Sequence, residues 1–262
     1  MLAGCECSGM VAREFARTGW EAYSCDILPG EQPDEDFPSG GTYRHIQGSI
    51  LDDPEAGTVG PLSPDHPVNW GRKAAGMVLD GPVRLWDLGA FFPPCTHISQ
   101  AGAVWWKHKD ATRGGDGRMQ EGAAFFMQMV NLGKAACSFS AVENPVGAMG
   151  LPSQACYYRR PDQVVQPHMF GDPLIKATCL WLEGLPLLVA DNPVEPAGRV
   201  ASGGGSCRTD IAAGRGMKFV NGHEDAKGRV NRQRERNRTL PGFARAMASQ
   251  WTAWIEEQEA RA

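Results

Sequence analysis

Leu85-Trp86-Asp87-Leu88-Gly89-Ala90-Phe91-Phe92-Pro93-Pro94-Cys95 is the stretch on which the fold turns. An apolar run of strand length reads as a buried strand over Leu85–Phe92. Two prolines stop it, because a proline has no N–H to give to a ladder. Cys95 follows at once, on backbone that the prolines stiffen. Downstream, residues 118–136 carry Met119, Ala123, Phe126 and Val130 at helical spacing, which predicts a helix with one apolar face. Ser138–Val142 then reads as a second strand, ending on Glu143-Asn144-Pro145. Strand, helix, strand is the repeating unit of a layered α/β fold with a parallel sheet.

The same alternation extends to both ends. Leu2–Gly4 reads as a strand of barely three residues, because the chain begins almost at Gly4. A helix starts near Ser8, which can cap it, carries Val11 and Phe15 one turn apart, and stops at Gly19. Glu21–Cys25 is the next strand and ends in Asp26. Residues 29–84 are rich in Pro, Gly and Asp and read as surface loop, with one strand at His45–Leu51. Ala177–Leu182 is a further strand. A last helix begins near Pro241, a residue suited to a first helical turn, and its Phe243, Met247, Trp251, Trp254 and Ile255 share one face. The expectation is a doubly wound, mostly parallel sheet. It comprises a core at 1–188, a small basic, loop-rich insertion at 189–238, and a helix at 239–262 packed back on the core.

Bulk properties narrow the class. Of 262 residues, 42% are hydrophobic and 21% charged, the balance of a chain that buries a core. No apolar run approaches the roughly 18 residues of a membrane span, and the first residues lack the basic start and apolar stretch of a secretory signal, so a cytoplasmic location is expected. The eight cysteines read as thiols. Zinc is the alternative, given Cys5 near Cys7 and the grouping Cys156, His168, Cys179 and Cys207. Without paired Cys-x2-Cys knuckles, however, no metal is expected. Net charge is -4, yet residues 199–238 hold ten Lys and Arg against four Asp and Glu. With Gly203, Gly204 and Gly205 and the cluster Arg232, Arg234, Arg236 and Arg238, that stretch suits phosphate binding.

Ligands of doubly wound sheets bind at the carboxyl ends of the strands, and here four such ends carry polar or reactive groups. The turn Gly4-Cys5-Glu6-Cys7-Ser8-Gly9 offers small residues and a helix N-terminus. Asp26 can accept hydrogen bonds from the hydroxyls of a ribose or simply face solvent from its loop. Cys95 is a candidate nucleophile, which as a thiol needs a lowered pKa or a proton acceptor. Glu143 is a candidate general acid.

Pro93-Pro94-Cys95 and Glu143-Asn144-Pro145 resemble motifs of the DNA cytosine-5 methyltransferases, and the chain is most similar to a compact branch of that family found in phages and prophages. The resemblance runs through Cys5-Glu6-Cys7-Ser8-Gly9, Ser24-Cys25-Asp26-Ile27-Leu28-Pro29, Pro93-Pro94-Cys95-Thr96-His97 and Val142-Glu143-Asn144-Pro145-Val146-Gly147. It continues in Pro161-Asp162-Gln163, Gln166-Pro167, Phe170-Gly171-Asp172, the stretch 176–182, and Arg238-Thr239-Leu240-Pro241-Gly242. It implies a Rossmann-like fold and methyl transfer from S-adenosylmethionine to carbon 5 of a flipped-out cytosine in double-stranded DNA by a protein acting as a monomer. Cys95 would attack carbon 6, Glu143 would protonate ring nitrogen 3, Asn144 would position Glu143 or the base, and Lys176 and Thr178 would lie near the flipped nucleotide. The donor would be held by Gly4, Cys5, Glu6, Ser8, Gly9, Asp26, Ile27, Ser49 and Pro93, with Ser49 standing where an adenine-contacting aspartate is expected. The loop after Cys95 would close on DNA with His97, Ser99, Trp105 and Trp106, joined by Arg232, Arg234, Arg236 and Arg238. Either tryptophan can fill the gap left by the base or anchor the loop, and His97 can assist proton transfer or make a structural hydrogen bond. A recognition region confined to about 189–238 implies short or relaxed sequence specificity. Cysteine attack on carbon 6 also serves folate-dependent hydroxymethylation of pyrimidines, and a catalytically silent DNA-binding factor is the remaining alternative.

Overall fold

A computed structural model of the chain describes residues 1–52, 58–63, 65–69, 85–199 and 238–261. Eight strands form one sheet in the order β3-β4-β2-β1-β5-β6-β9-β7. They are β1 (Leu2–Gly4), β2 (Glu21–Asp26), β3 (Glu35–Asp36), β4 (Thr42–Gln47), β5 (Trp86–Phe91), β6 (Cys137–Pro145), β7 (Gln163–Val165) and β9 (Thr178–Glu183). The chain steps outward from β1 through β2 to β4, then crosses back to β5 on the other side of β1 and continues to β6. The strands β4, β2, β1, β5 and β6 are mutually parallel, while β9 runs antiparallel between β6 and β7. The order reverses between β1 and β5, and a crevice opens at the carboxyl ends of the strands flanking such a switch point.

Each face of the sheet has its own core, because successive side chains of a strand point to opposite faces. On one face Ala3, Leu88, Ala90, Ala141, Leu180 and Leu182 pack with helix α1 (Met10–Arg17) and the C-terminal helix α3 (Pro241–Glu259). Trp251 is fully buried there, and its indole N–H donates to the Pro186 carbonyl at 3.2 Å. On the other face Leu2, Cys25, Phe91, Val142, Cys179 and Trp181 pack with α2 (Arg118–Ala136). Met119, Ala123, Phe126 and Val130 of α2 are all buried, so its apolar face is the one the spacing predicts. Among the described residues, no helix is long and apolar enough to cross a membrane.

Several local expectations are corrected. The N-cap position of α1 is Gly9, at φ +67°, rather than Ser8; the Met10 N–H is shared between Glu6 Oε1 at 2.9 Å and the Ser8 hydroxyl at 3.3 Å. A Cβ on Gly9 would lie 2.5 Å from the Tyr43 hydroxyl, so both its φ and its packing exclude a side chain. The strand expected at His45–Leu51 lies at Thr42–Gln47, where Tyr43 is the buried residue. Glu143-Asn144-Pro145 belongs to β6 rather than following it, since all three pair with β9.

The region beginning at 189 is also more tied to the core than its composition suggests. The Val189 N–H and carbonyl bond Gln250 of α3, at 2.8 Å each. The Val194 N–H reaches the His168 carbonyl at 2.8 Å. Gly198–Arg199, forming β10, pairs with β8 (Leu174–Ile175).

Candidate functional site

A cleft of about 1090 Å³ runs along the carboxyl ends of β1, β2, β5 and β6. One half is built by the turn after β1 and the end of β2. Cys5, Glu6, Cys7 and Ser8 line it, and Cys5 holds a left-handed φ of +60°, a conformation costly for a residue with a Cβ. The Glu6 N–H bonds the Cys25 carbonyl at 3.1 Å, which ties the turn to β2. Asp26 lines this half and accepts the Leu28 N–H at 2.9 Å, while its own carbonyl takes the Gly48 N–H at 2.9 Å. That bond, with the β2–β4 register, brings Ser49 to the cleft, where its hydroxyl accepts the Leu51 N–H at 3.1 Å. Ile27, 73% exposed, gives the rim an apolar surface beside Asp26, and Pro93 lies across from it.

The other half holds Cys95 and Glu143. Asn144, 2% exposed, donates its side-chain N–H to the Pro93 carbonyl at 2.8 Å, clamping the Pro93-Pro94-Cys95 loop to the end of β6. The segments after each residue are also joined. Gln100 N–H bonds the Val146 carbonyl at 2.8 Å, Ala148 N–H bonds the Ile98 carbonyl at 2.7 Å, and Ser99 bridges Gly147. This seam needs glycine, since a Cβ on Gly147 would lie 2.2 Å from the Ile98 oxygen. Cys95 and Glu143 therefore stand on one clamped unit.

The charge of Glu143 bears on Cys95, and that of Lys176 on both. Burial pushes the Cys95 thiol up, and the nearby Glu143 carboxylate adds to this; Lys176 and a hydrogen bond with Ser99 act in the opposite sense. Burial likewise pushes the Glu143 carboxyl up, with Lys176 opposing. A proton on Glu143 thus removes one of the two effects that disfavour the Cys95 thiolate. Lys176 comes from the residues before β9. Because β9 runs antiparallel to β6, its beginning lies beside the end of β6, with Thr178 opposite Pro145. Lys176 N–H is held by the Gln166 side chain at 2.9 Å, and its ammonium donates to the Arg238 carbonyl at 3.2 Å.

Of the residues marked in the sequence, Cys5, Glu6, Ser8, Asp26, Ile27, Ser49, Pro93, Cys95, Ser99, Trp105, Glu143, Lys176 and Arg238 line this one cleft. Others do not. Gly4 and Gly9 are outside its lining, and Gly4 lies against the Phe91 and Ile50 side chains. Asn144 acts from behind, through Pro93. Thr178 is buried, and its hydroxyl donates to the Lys176 carbonyl at 3.0 Å.

The loop after Cys95 divides its residues among several tasks. Trp106 is buried in the α2 core, whereas Trp105 is 55% exposed at the cleft. Ser99 is buried beside the Cys95 thiol instead of facing outward. His97 lies outside the cleft lining, and its Nδ1 is buried with no hydrogen-bond partner among the described residues, so the structural hydrogen bond expected of it is absent at that atom. Arg232, Arg234 and Arg236 lie outside the described residues, as does Cys207. Arg238 forms an ion pair with Glu31. Among the described residues, no group of three His, Cys, Asp or Glu side chains is arranged to hold a metal ion.

Sequence reasoning passed over Glu31 and Phe125, which also line the cleft, and gave no role to Gln166 or Thr239. The last two carried a signal, Gln166 in the Gln166-Pro167 pair and Thr239 in the stretch 238–242. Comparison with protein-family models and with curated proteins returned no match.

Proposed function

We propose that the chain is a DNA cytosine-5 methyltransferase with a Rossmann-like methyltransferase core, which transfers a methyl group from S-adenosylmethionine to carbon 5 of a cytosine turned out of double-stranded DNA. One observation carries this reading. A thiol and a carboxyl from the ends of adjacent parallel strands line one cleft with a lysine whose charge bears on both, and the same cleft continues to a strand-end aspartate. The donor half suits a nucleoside: Asp26 offers carboxylate oxygens to ribose hydroxyls, Ile27 and Pro93 offer apolar surface to a base, and the Ser49 hydroxyl stands nearby. Bound there, S-adenosylmethionine supplies an electrophilic methyl group on a sulfonium sulfur.

The chain's own residues supply the rest. Cys95 gives up its proton to solvent and its sulfur bonds to carbon 6, pushing the ring electrons toward nitrogen 3 and carbon 5. Glu143, whose carboxyl burial pushes up so that it holds a proton more readily, passes that proton to nitrogen 3, so that no full negative charge builds on the ring. Lys176 favours the Cys95 thiolate through its positive charge. Carbon 5 is then nucleophilic enough to accept the methyl group. Loss of the carbon 5 proton to solvent restores the ring double bond and expels the Cys95 sulfur as thiolate, and nitrogen 3 returns its proton to Glu143.

Incubation with duplex DNA of varied sequence and methyl-labelled donor should place label on carbon 5 of cytosine, and Cys95→Ala should abolish it. A duplex containing 5-fluorocytosine should form a covalent adduct at Cys95 in the presence of donor, because fluorine cannot leave as the proton does. Folded protein that labels no cytosine in any duplex would overturn the proposal.

A further inference from the structure

Glu6 sits in the turn between β1 and α1, 5% exposed, and lines the donor half of the cleft. Its two oxygens have different surroundings. Oε1 accepts the Met10 N–H at 2.9 Å and the Ser8 hydroxyl. Oε2 is buried and has no hydrogen-bond partner among the described residues. An acceptor hidden from water without a donor is costly, and a carboxylate more so. The groups facing Glu6 do not relieve this. Asp26, from the end of β2, adds negative charge, and Tyr43, from β4, is itself disfavoured as an anion by Glu6. Arg13 of α1, beyond Tyr43, is paired with Glu35, and Arg238 across the cleft is paired with Glu31. The α1 side contributes N–H groups of Met10 and Ala12, but no cation.

We propose that Glu6 Oε2 receives the ammonium group on the amino-acid arm of the adenosyl donor, and that binding there releases one proton from Glu6. The inference rests on the adenosyl-donor reading above. With Asp26 taking the ribose and the methyl group directed toward Cys95, the amino-acid arm is the remaining part of the donor, and the turn after β1 is the remaining wall. An ammonium supplies what Oε2 lacks, a donor and a positive charge, in a site where burial makes a charge-assisted hydrogen bond strong. Burial pushes the Glu6 carboxyl up to about 7, while the hydrogen bonds from Ser8, Met10 and Ala12 pull the other way and Asp26 adds a smaller upward push. About half of the molecules with an empty cleft therefore carry the proton at pH 7. The proton balance is simple: the ligand keeps its three ammonium protons, and the Glu6 proton passes to buffer.

The test is calorimetric titration with S-adenosylhomocysteine, which bears the same arm, in buffers of different ionisation enthalpy at pH 6, 7 and 8. 5′-Methylthioadenosine, which lacks the arm, is the comparison ligand. Wild-type protein should release close to one proton per homocysteine ligand at pH 6, about half at pH 7 and almost none at pH 8. Glu6→Gln, checked for folding by circular dichroism, should release none at any pH and bind this ligand roughly tenfold or more weakly at pH 8. Methylthioadenosine should bind both proteins alike and release no proton. Wild-type binding of S-adenosylhomocysteine without proton release, or equal affinity in the Gln variant, overturns the Glu6 assignment and leaves the adenosyl reading standing. Failure of wild type to bind either ligand overturns both.

Discussion

Replacing Glu6 with Gln should change how the stability of the ligand-free protein depends on pH. In an unfolded chain this carboxyl titrates at its ordinary value of 4.5, and in the folded protein burial raises it to about 7. The folded state therefore binds the proton more tightly, and its stability falls as pH rises from the first value through the second. The difference of about 2.5 pH units corresponds to about 3 kcal/mol at 1.36 kcal/mol per unit, fully present below pH 4.5 and fully lost above pH 8. Glutamine fills a similar volume and does not titrate. Urea denaturation of both proteins at pH 4.5, 5.5, 6.5 and 8 isolates the effect, because every other titrating group cancels in the difference. The stability of wild type minus that of Glu6→Gln should decline by about 3 kcal/mol across the series, with most of the change between pH 5 and 7. A difference that stays constant within about 0.5 kcal/mol would refute the view that a desolvated carboxyl with one unpartnered oxygen sits beneath the first turn.

Asn144→Ala should cost about 1–3 kcal/mol of stability by leaving the buried Pro93 carbonyl without its donor. It should also lower kcat on labelled duplex roughly 10- to 100-fold with little change in KM for DNA, since Asn144 positions the Cys95 loop from outside the cleft. The two adjacent tryptophans should separate cleanly. Trp106→Ala should cost about 3–5 kcal/mol in denaturant melts, while Trp105→Ala should leave stability within about 0.5 kcal/mol and weaken duplex binding in a fluorescence titration. The kcat/KM profile should have an acid limb above the ordinary carboxylate range, set by Glu143, and an alkaline limb above the ordinary thiol range, set by Cys95. Glu143→Gln should remove the acid limb as a separate feature, leaving a low rate that climbs with the Cys95 thiolate.

The parts of the fold legible in the sequence are those where one local pattern had one outcome. The α2 boundaries follow from the spacing of Met119, Ala123, Phe126 and Val130, and the end of β5 from Pro93. β4 and β7 were hard to read because each buries only one side chain, Tyr43 and Val165, and exists through pairing with a strand distant in the chain. Glu143 and Cys95 were legible as strand-end residues. The path by which Asn144 clamps Pro93 was not, because it depends on the β5–β6 register. Glu31 meets Arg238 across 207 positions of chain, and neither residue's neighbours foretell that contact. The cap of α1 was read one residue early for a geometric reason: with Gly9 in the left-handed region, the turn directs Glu6 at the first helical N–H group, which Ser8 shares while also bonding Glu6.

The pairing of β10 with β8 has a consequence for how this protein can change over time. Gly198–Arg199 is stitched beside Leu174–Ile175, directly before Lys176, and the Lys176 ammonium holds the carbonyl of Arg238. Arg199 and Arg238, the described residues on either side of 200–237, are thus both fastened beside Lys176. A segment whose two ends are fastened together can be exchanged as a cassette. Doubling its length costs only about 0.6 kcal/mol in closure entropy, and none of that cost reaches the strands that carry Cys95 and Glu143. Variation in what lies between Arg199 and Arg238 can be sampled by insertion, deletion or wholesale swapping while the reacting groups remain where they are.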